Sequence, residues 1–163
     1  MATSAITALA TITLGTAQAT VTFSSITGSY RDLRLVATVK SATSQSLWLR
    51  FNSDAGANYS LVNAGGSGTA ATSVNTTDVA VYSGNVSYPA AADGFMATID
   101  IMGYSATDKH KSLLSRAGNS ANGVDMLAGR WANTAAITSV TCTTLSTNTY
   151  AAGSVFTLYG VSA

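Results

Sequence analysis

The sequence predicts an all-β protein, an antiparallel β-sandwich of the jelly-roll type, in which residues 1–163 form a single domain. About nine or ten short stretches alternate apolar and polar residues, and turn-forming residues separate them. The chain has no glutamate but 24 threonines, a composition that disfavours long helices and suits strands. A length of 163 residues is enough for one domain with a substantial core.

The clearest alternation lies between Tyr30 and Asn52. The runs Leu33–Val39 and Leu47–Phe51 place an apolar residue at every second position. Successive side chains of a strand point to opposite faces, so each run has one buried and one solvated face. We expect both runs to lie in the middle of the sandwich and to be joined by an open loop at Ser41–Ser46.

Other runs of the same kind complete the predicted sandwich. They are Ile6–Leu14, Ala19–Phe23, Asp78–Tyr82, Phe95–Met102, Lys111–Arg116, Val124–Trp131, Ala136–Thr144 and Ser154–Val161. The first two runs predict a hairpin around Gly15, and the last four predict two further strand pairs. Asn63–Thr77 is rich in Gly, Ser, Thr and Asn, which predicts a mobile surface loop.

The N-terminal segment has two interpretations. Met1–Ala19 ends in T-A-Q-A, which resembles a signal-peptidase site, but there is no Lys or Arg before Arg31. A signal peptide normally begins with basic residues. The alternation of Thr and aliphatic residues therefore favours a first strand over a leader.

The low charge is informative about partners. Charged residues make up 9% of the chain and the net charge is +1, so no field attracts nucleic acid or an acidic membrane surface. No apolar run is long enough to span a bilayer. A surface with few charges is poorly protected against association, which favours a protein that works in an assembly. A secreted monomer with a Ser/Thr-rich surface is the alternative.

Catalytic and metal chemistry find little support. His110 is the only histidine, Cys142 is the only cysteine, and together they cannot close a zinc site. A carboxylate pair for glycoside hydrolysis would require Asp100 and Asp125 to meet in space. We therefore predict a protein that is not an enzyme and has no metal and no cofactor.

The loop after Leu47–Phe51 offers oxygen ligands from Asn52, Asp54 and Asn58. Calcium is one interpretation of this loop. An EF-hand loop needs more carboxylates and a terminal Glu, so a set of Asx turns is the favoured one.

Aromatic and arginine side chains supply the candidates for an interface or a ligand site. Trp48 and Arg50 lie on the strand face opposite Leu47, Leu49 and Phe51, and large groups on an outer face often mark an interface. The other candidates are Tyr59, Tyr82 and Trp131. Subunit contact and an aromatic platform for sugars both fit these residues, and subunit contact is preferred.

Four segments resemble a jelly-roll module that is common in virion structural proteins of tailed bacteriophages and prophages. They are A-T-V-T-F-S-S-I-T-G-S-Y-R-D-L-R-L-V, L-R-F-N-S-D-A-G-A-N-Y-S, A-N-T-A-A-I-T-S-V and A-A-G-S-V-F-T-L-Y-G-V. They span most of the chain in the family's order. They are scaffold motifs and include no catalytic signature.

The resemblance implies a virion structural protein. The favoured role is capsid decoration or cement on the capsid surface, because the chain lacks the long trimeric shaft of a full tail fibre. The implied partners are the major capsid protein or other virion proteins and further copies of the chain, with a trimer favoured, and neither nucleic acid nor a membrane. A tail-fibre or baseplate component, or a receptor- or glycan-binding module, is the alternative.

Overall fold

The computed structural model describes residues 5–41, 46–83, 94–119, 123–144 and 147–162. Within these residues the chain forms twelve β-strands and no helix. The strands are β1 (Ile6–Thr13), β2 (Thr20–Phe23), β3 (Asp32–Val39), β4 (Leu47–Phe51), β5 (Tyr59–Gly66), β6 (Ala71–Asp78), β7 (Val81–Ser83), β8 (Phe95–Met102), β9 (Lys111–Asn119), β10 (Gly123–Trp131), β11 (Val140–Thr143) and β12 (Val155–Val161). The described part of the chain therefore has no helix long and apolar enough to cross a membrane.

The strands form two antiparallel sheets. The larger has the order β1-β12-β3-β8-β9-β10-β5-β6, and the smaller has the order β2-β11-β4-β7. Eight strands make a jelly roll, because β1-β12-β3-β8 faces β2-β11-β4-β7 and the chain passes repeatedly from one sheet to the other. The predicted fold class, an antiparallel jelly-roll sandwich, is confirmed.

The larger sheet continues beyond the jelly roll through four more strands. The hairpin β5-β6 enters the chain between β4 and β7, and the hairpin β9-β10 enters between β8 and β11. The resulting order β9-β10-β5-β6 extends the sheet from β8. We call these four strands the extension.

The core lies between the sheets and is built by the alternation that the sequence shows. Leu33, Leu35 and Val39 of β3 and Leu47 and Phe51 of β4 are fully buried. Strand β3 lies between β12 and β8, and β4 lies between β11 and β7. The prediction that both runs lie in the middle of the sandwich is confirmed, although they belong to opposite sheets. Most of their predicted connector, residues 42–45, lies outside the described residues.

Three predicted local pairings or loops are wrong. Strands β1 and β2 do not form a hairpin, because β1 pairs with β12 and β2 pairs with β11 in the other sheet. Strands β11 and β12 are likewise separated between the two sheets. The predicted mobile loop Asn63–Thr77 is instead most of the β5-β6 hairpin, with Val62 opposite Asn75. Alternation identifies the buried face of a strand but not its neighbour.

Candidate functional site

The outer face of β8, β9, β10 and β5 carries an ordered array of side chains. Residues paired across neighbouring strands point to the same face, so they form rows across the sheet. From β8 to β5, three consecutive rows are Met96, Gly118, Val124 and Gly66; then Thr98, Arg116, Met126 and Ala64; then Asp100, Leu114, Ala128 and Val62.

Most of this array is apolar and exposed. The five large apolar side chains are between 49% and 64% exposed, far more than side chains in the core. We call the exposed apolar members of the three rows the platform: Val62, Ala64, Met96, Leu114, Val124, Met126 and Ala128. Four strands about 4.8 Å apart and rows about 6.8 Å apart give the whole array of twelve positions an area on the order of 400 Å², and the platform occupies seven of these positions.

Arg116 stands within the platform. It pairs across the strands with Met126 on one side and Thr98 on the other, and Leu114 precedes it by two residues on the same face. Its side chain is exposed and forms no ion pair or hydrogen bond with any residue that the structure describes. The guanidinium is therefore available to a partner.

A notch lies beside Arg116. It is a shallow depression of about 420 Å³ over β8, β9 and β10, and the platform residues Met96, Val124 and Met126 form part of its lining. Its lining includes Thr98, Arg116 and Met126. The platform thus combines a raised apolar rim, a shallow recess and one cation.

The other charges on this face are arranged differently. Arg34 Nε donates to Asp100 Oδ1 at 2.6 Å, so that carboxylate already has a cation. The hydrogen bond with Asp100 raises the pKa of Arg34, although burial opposes the shift. Arg130 is exposed in the next row, between Ser112 and Ser60, outside the apolar rows. The outer face of the extension therefore carries two unpaired arginines among the described residues.

Two of the aromatic candidates belong to the core. Trp131 is 1% exposed, and its indole N–H donates to Asp54 Oδ2 at 2.7 Å. Tyr59 is fully buried, and its hydroxyl accepts from the Phe51 amide at 3.0 Å. Asp54 also accepts from the Gly56 amide at 2.9 Å, which makes an Asx turn. These bonds fix the loop after β4 against the end of β10.

The remaining candidates lie on the outer face of the smaller sheet. Trp48 and Tyr82 are paired between β4 and β7, and their ring centroids are 4.8 Å apart. Trp48 is half-buried and Tyr82 is 8% exposed. Arg50 Nε donates to the Val79 carbonyl at 3.1 Å. Of the five candidates, Trp48 and Arg50 keep a partly exposed side chain.

The residues considered for catalysis are dispersed. Asp100 lies on the outer face of β8, whereas Asp125 is buried on the inner face of β10, with β9 between the two strands. His110 is exposed at a turn. Burial raises the pKa of Cys142 to about 12, which keeps it a thiol. Within the described ranges, no group of three or more His, Cys, Asp and Glu residues could hold a metal ion.

Lys111, the neighbour of His110, is buried rather than exposed to solvent. The lysines around this histidine suggest a solvated loop, yet Lys111 is fully buried as the first residue of β9. Its ammonium donates to the carbonyls of Lys109 and Thr134 at 2.9 and 3.1 Å. Burial lowers the pKa of Lys111, with the nearby charge of Asp108 opposing the shift. Lys111 joins two loops rather than contacting solvent.

Sequence reasoning missed the platform, although a signal was present. In Phe95–Met102 the face opposite the core carries Met96 and Met102 where small polar residues are usual. Leu114, Val124 and Met126 repeat this departure in the next two strands. Apolar residues at the outward-facing positions of three strands suggest an outer face that is covered by a partner. Only the strand order shows that these residues are neighbours.

Comparisons with known proteins do not identify a family. No protein-family model and no curated protein matches the chain. Among solved structures, the chain is similar to the galectin LEC-6 of Caenorhabditis elegans, with 14% sequence identity and a TM-score of 0.35 over 94% of this chain and 96% of the galectin.

Proposed function

We propose that this chain is a structural protein of a tailed-bacteriophage particle, a decoration or cement protein that binds the capsid shell and stabilises it. The observation that carries the proposal is the exposed platform on the larger sheet. The largest exposed apolar patch of a soluble protein is often functional. The sequence resemblance implies a phage particle as the assembly, and the platform is the surface that we propose binds the shell. The proposal gives the chain no catalytic role.

The size of the platform suits a repetitive lattice. Even the whole array, with an area on the order of 400 Å², is about half of what each partner buries in a standard stable interface, so a single contact is weak. Many copies on one shell, or several copies joined in an oligomer, multiply weak contacts into firm attachment. We therefore keep the major capsid protein as the principal partner and a homo-oligomer, with a trimer favoured, as the attached form.

A second role rests on a different surface. Trp48 packs on the buried Tyr82 and keeps a partly exposed indole, and Arg50 lies on the same strand face as Trp48. This favours a receptor- or glycan-binding module, or a tail-fibre or baseplate component, as the alternative. Binding to a glycan array that Trp48→Ala abolishes and Met126→Lys leaves intact would select it.

The test of the cement role is removal and replacement. Particles stripped of the protein should lose resistance to heat, chelator and osmotic shock, and purified protein should restore it. The double variant Met96→Lys, Met126→Lys should fail to restore resistance, because burying two ammonium groups in an apolar contact costs desolvation free energy and weakens binding. Met102→Lys, a methionine on the same sheet outside the platform and 42% exposed, is the matched control. Particles that stay equally resistant without the protein would refute the role.

A further inference from the structure

We infer that the partner of the platform is a different protein, whose surface presents a carboxylate among apolar side chains and places it on Arg116. The inference rests on the proposed function only in taking the platform as the docking surface. It names the chemistry of the partner at that surface and argues against face-to-face pairing of two platforms.

The position of Arg116 requires an acceptor. Leu114 and Met126 adjoin it directly, and Met96 and Val124 stand diagonally across from it, so any partner that covers these side chains also covers the guanidinium. Burying an arginine without a hydrogen-bonding acceptor is costly. A carboxylate accepts two parallel N–H bonds from a guanidinium and also neutralises its charge.

The same face of a second copy does not supply that carboxylate. On this face Asp100 is already bound by Arg34 at 2.6 Å, and Asp125 is buried on the inner side of the sheet. Two platforms placed face to face would bring Arg116 of each copy into one contact in which the outward carboxylate already has a cation. Like charges in an interface oppose association, so this surface selects against face-to-face pairing of two copies.

The notch beside Arg116 adds a second requirement. Met96, Val124 and Met126 line this shallow depression, so it suits an apolar side chain of the partner. The recognised surface therefore has an apolar side chain adjacent to an Asp or Glu. Central anchors of this kind contribute most of the binding energy of an interface, while the surrounding contacts exclude water.

The experiment is rebinding of purified protein to stripped particles at about 50 and 500 mM NaCl, conditions that separate ionic from apolar contributions. Arg116→Met keeps the length of the side chain and makes the platform more apolar, yet we expect it to bind at least tenfold more weakly at low salt. Its affinity should also lose most of the salt dependence of the wild type. Arg130→Met, outside the apolar rows, is the control and should change binding by less than threefold. Thermal unfolding of each variant verifies that the fold is unchanged.

The outcomes separate the inference from the proposed function. Failure of the wild-type protein to bind stripped particles would refute both. Normal wild-type binding with equal or tighter binding of Arg116→Met would overturn the inference and leave the docking function standing. Sedimentation gives an independent check: Met126→Lys should leave the oligomeric state of the free protein unchanged. Dissociation of an oligomer by Met126→Lys would show that a second copy covers the platform.

Discussion

At the scale of single residues, Asp54 anchors the loop after β4 through several hydrogen bonds. It accepts from the Trp131 indole at 2.7 Å, from the Asn58 amide at 2.9 Å and from the Gly56 amide at 2.9 Å. The loop therefore uses its carboxylate to anchor a buried tryptophan. The oxygen-rich sequence that suggested calcium is accounted for by these internal bonds.

Trp131→Phe should lower the free energy of unfolding by about 1–3 kcal/mol, because it removes a buried donor from Asp54 and leaves space in the core. Trp48→Phe is the matched control, since Trp48 is half-buried against Tyr82 and should lose less than half as much. Urea denaturation of both variants measures the difference. Equal losses would contradict an anchoring role for the bond between Trp131 and Asp54.

The same carboxylate makes stability depend on pH. Burial alone would raise the pKa of Asp54, but hydrogen bonds from Trp131, Asn58 and Gly56 and the charge of Arg50 lower it on balance. A folded pKa below the unfolded value of about 3.9 gives stabilisation that is complete above that value and is lost as pH falls through the folded pKa. The stability gap between wild type and Asp54→Asn should therefore shrink from pH 7 to pH 3. Urea titrations that give a constant gap would exclude this linkage.

Asn63 presents the opposite situation. It is fully buried on the inner face of β5, and neither amide atom forms a hydrogen bond with the residues that the structure describes. Replacing an unsatisfied buried amide by an apolar group of similar size removes a desolvation cost. We expect Asn63→Leu to raise the free energy of unfolding by about 1 kcal/mol.

Ser115→Ala is the contrasting variant on the same face of the extension. Ser115 shares a 2.7 Å hydrogen bond with Ser83, so its loss should lower stability by about 1 kcal/mol. Thermal or chemical unfolding distinguishes the two directions. A destabilised Asn63→Leu would show that the amide of Asn63 makes interactions that offset its burial.

At the scale of elements, alternation predicted most strands but not their neighbours. The jelly-roll strands β3, β4 and β8 alternate cleanly because one face meets the core. Strand β6 was missed because it is an edge strand with little to bury, and its Thr, Ser and Asn residues have the composition of a loop. Its pairing with β5, and that of β5 with β10, depends on tertiary contacts that local sequence does not encode.

The junction between the two hairpins of the extension depends on one glycine. Gly123 begins β10 with φ +112°, and a Cβ atom there would lie 1.9 Å from the carbonyl oxygen of Gly66. Gly123→Ala should therefore lower the free energy of unfolding by about 2 kcal/mol or more and loosen the contact between β10 and β5. Gly15→Ala is the control, because nothing lies within 4 Å of its added Cβ. Hydrogen exchange of β5 and β10 amides measures the loosening, and unchanged exchange would contradict it.

At the scale of the whole molecule, the extension adds an exposed apolar outer face to the jelly roll, and its inner face contributes to the core. The fold class could be predicted from composition and alternation. A strand that buries one face needs β-favouring residues and an apolar side chain at every second position. The platform did not follow, because Met96, Leu114 and Met126 come from three strands whose adjacency is set by the chain's path between sheets. The sequence favoured aromatic residues as site candidates, but Tyr59 and Trp131 are buried in the core.

The low charge of the chain has a consistent interpretation at this scale. Among the exposed large apolar side chains of the described residues, five of seven lie in the platform, so this apolar surface is concentrated rather than scattered. Concentration of the exposed apolar side chains on one sheet face favours a single docking surface over nonspecific association. A protein attached through such a surface can tolerate few charges. Its partner covers the apolar surface that charges would otherwise protect against nonspecific association.

The most direct test is an image of the intact particle at a resolution that resolves strands. We expect the chain on the capsid surface, with the outer face of β8, β9, β10 and β5 against the shell and a carboxylate of the capsid protein at Arg116. A chain attached through its smaller sheet with this face turned to solvent, or a particle that does not contain the chain, would refute the proposed docking.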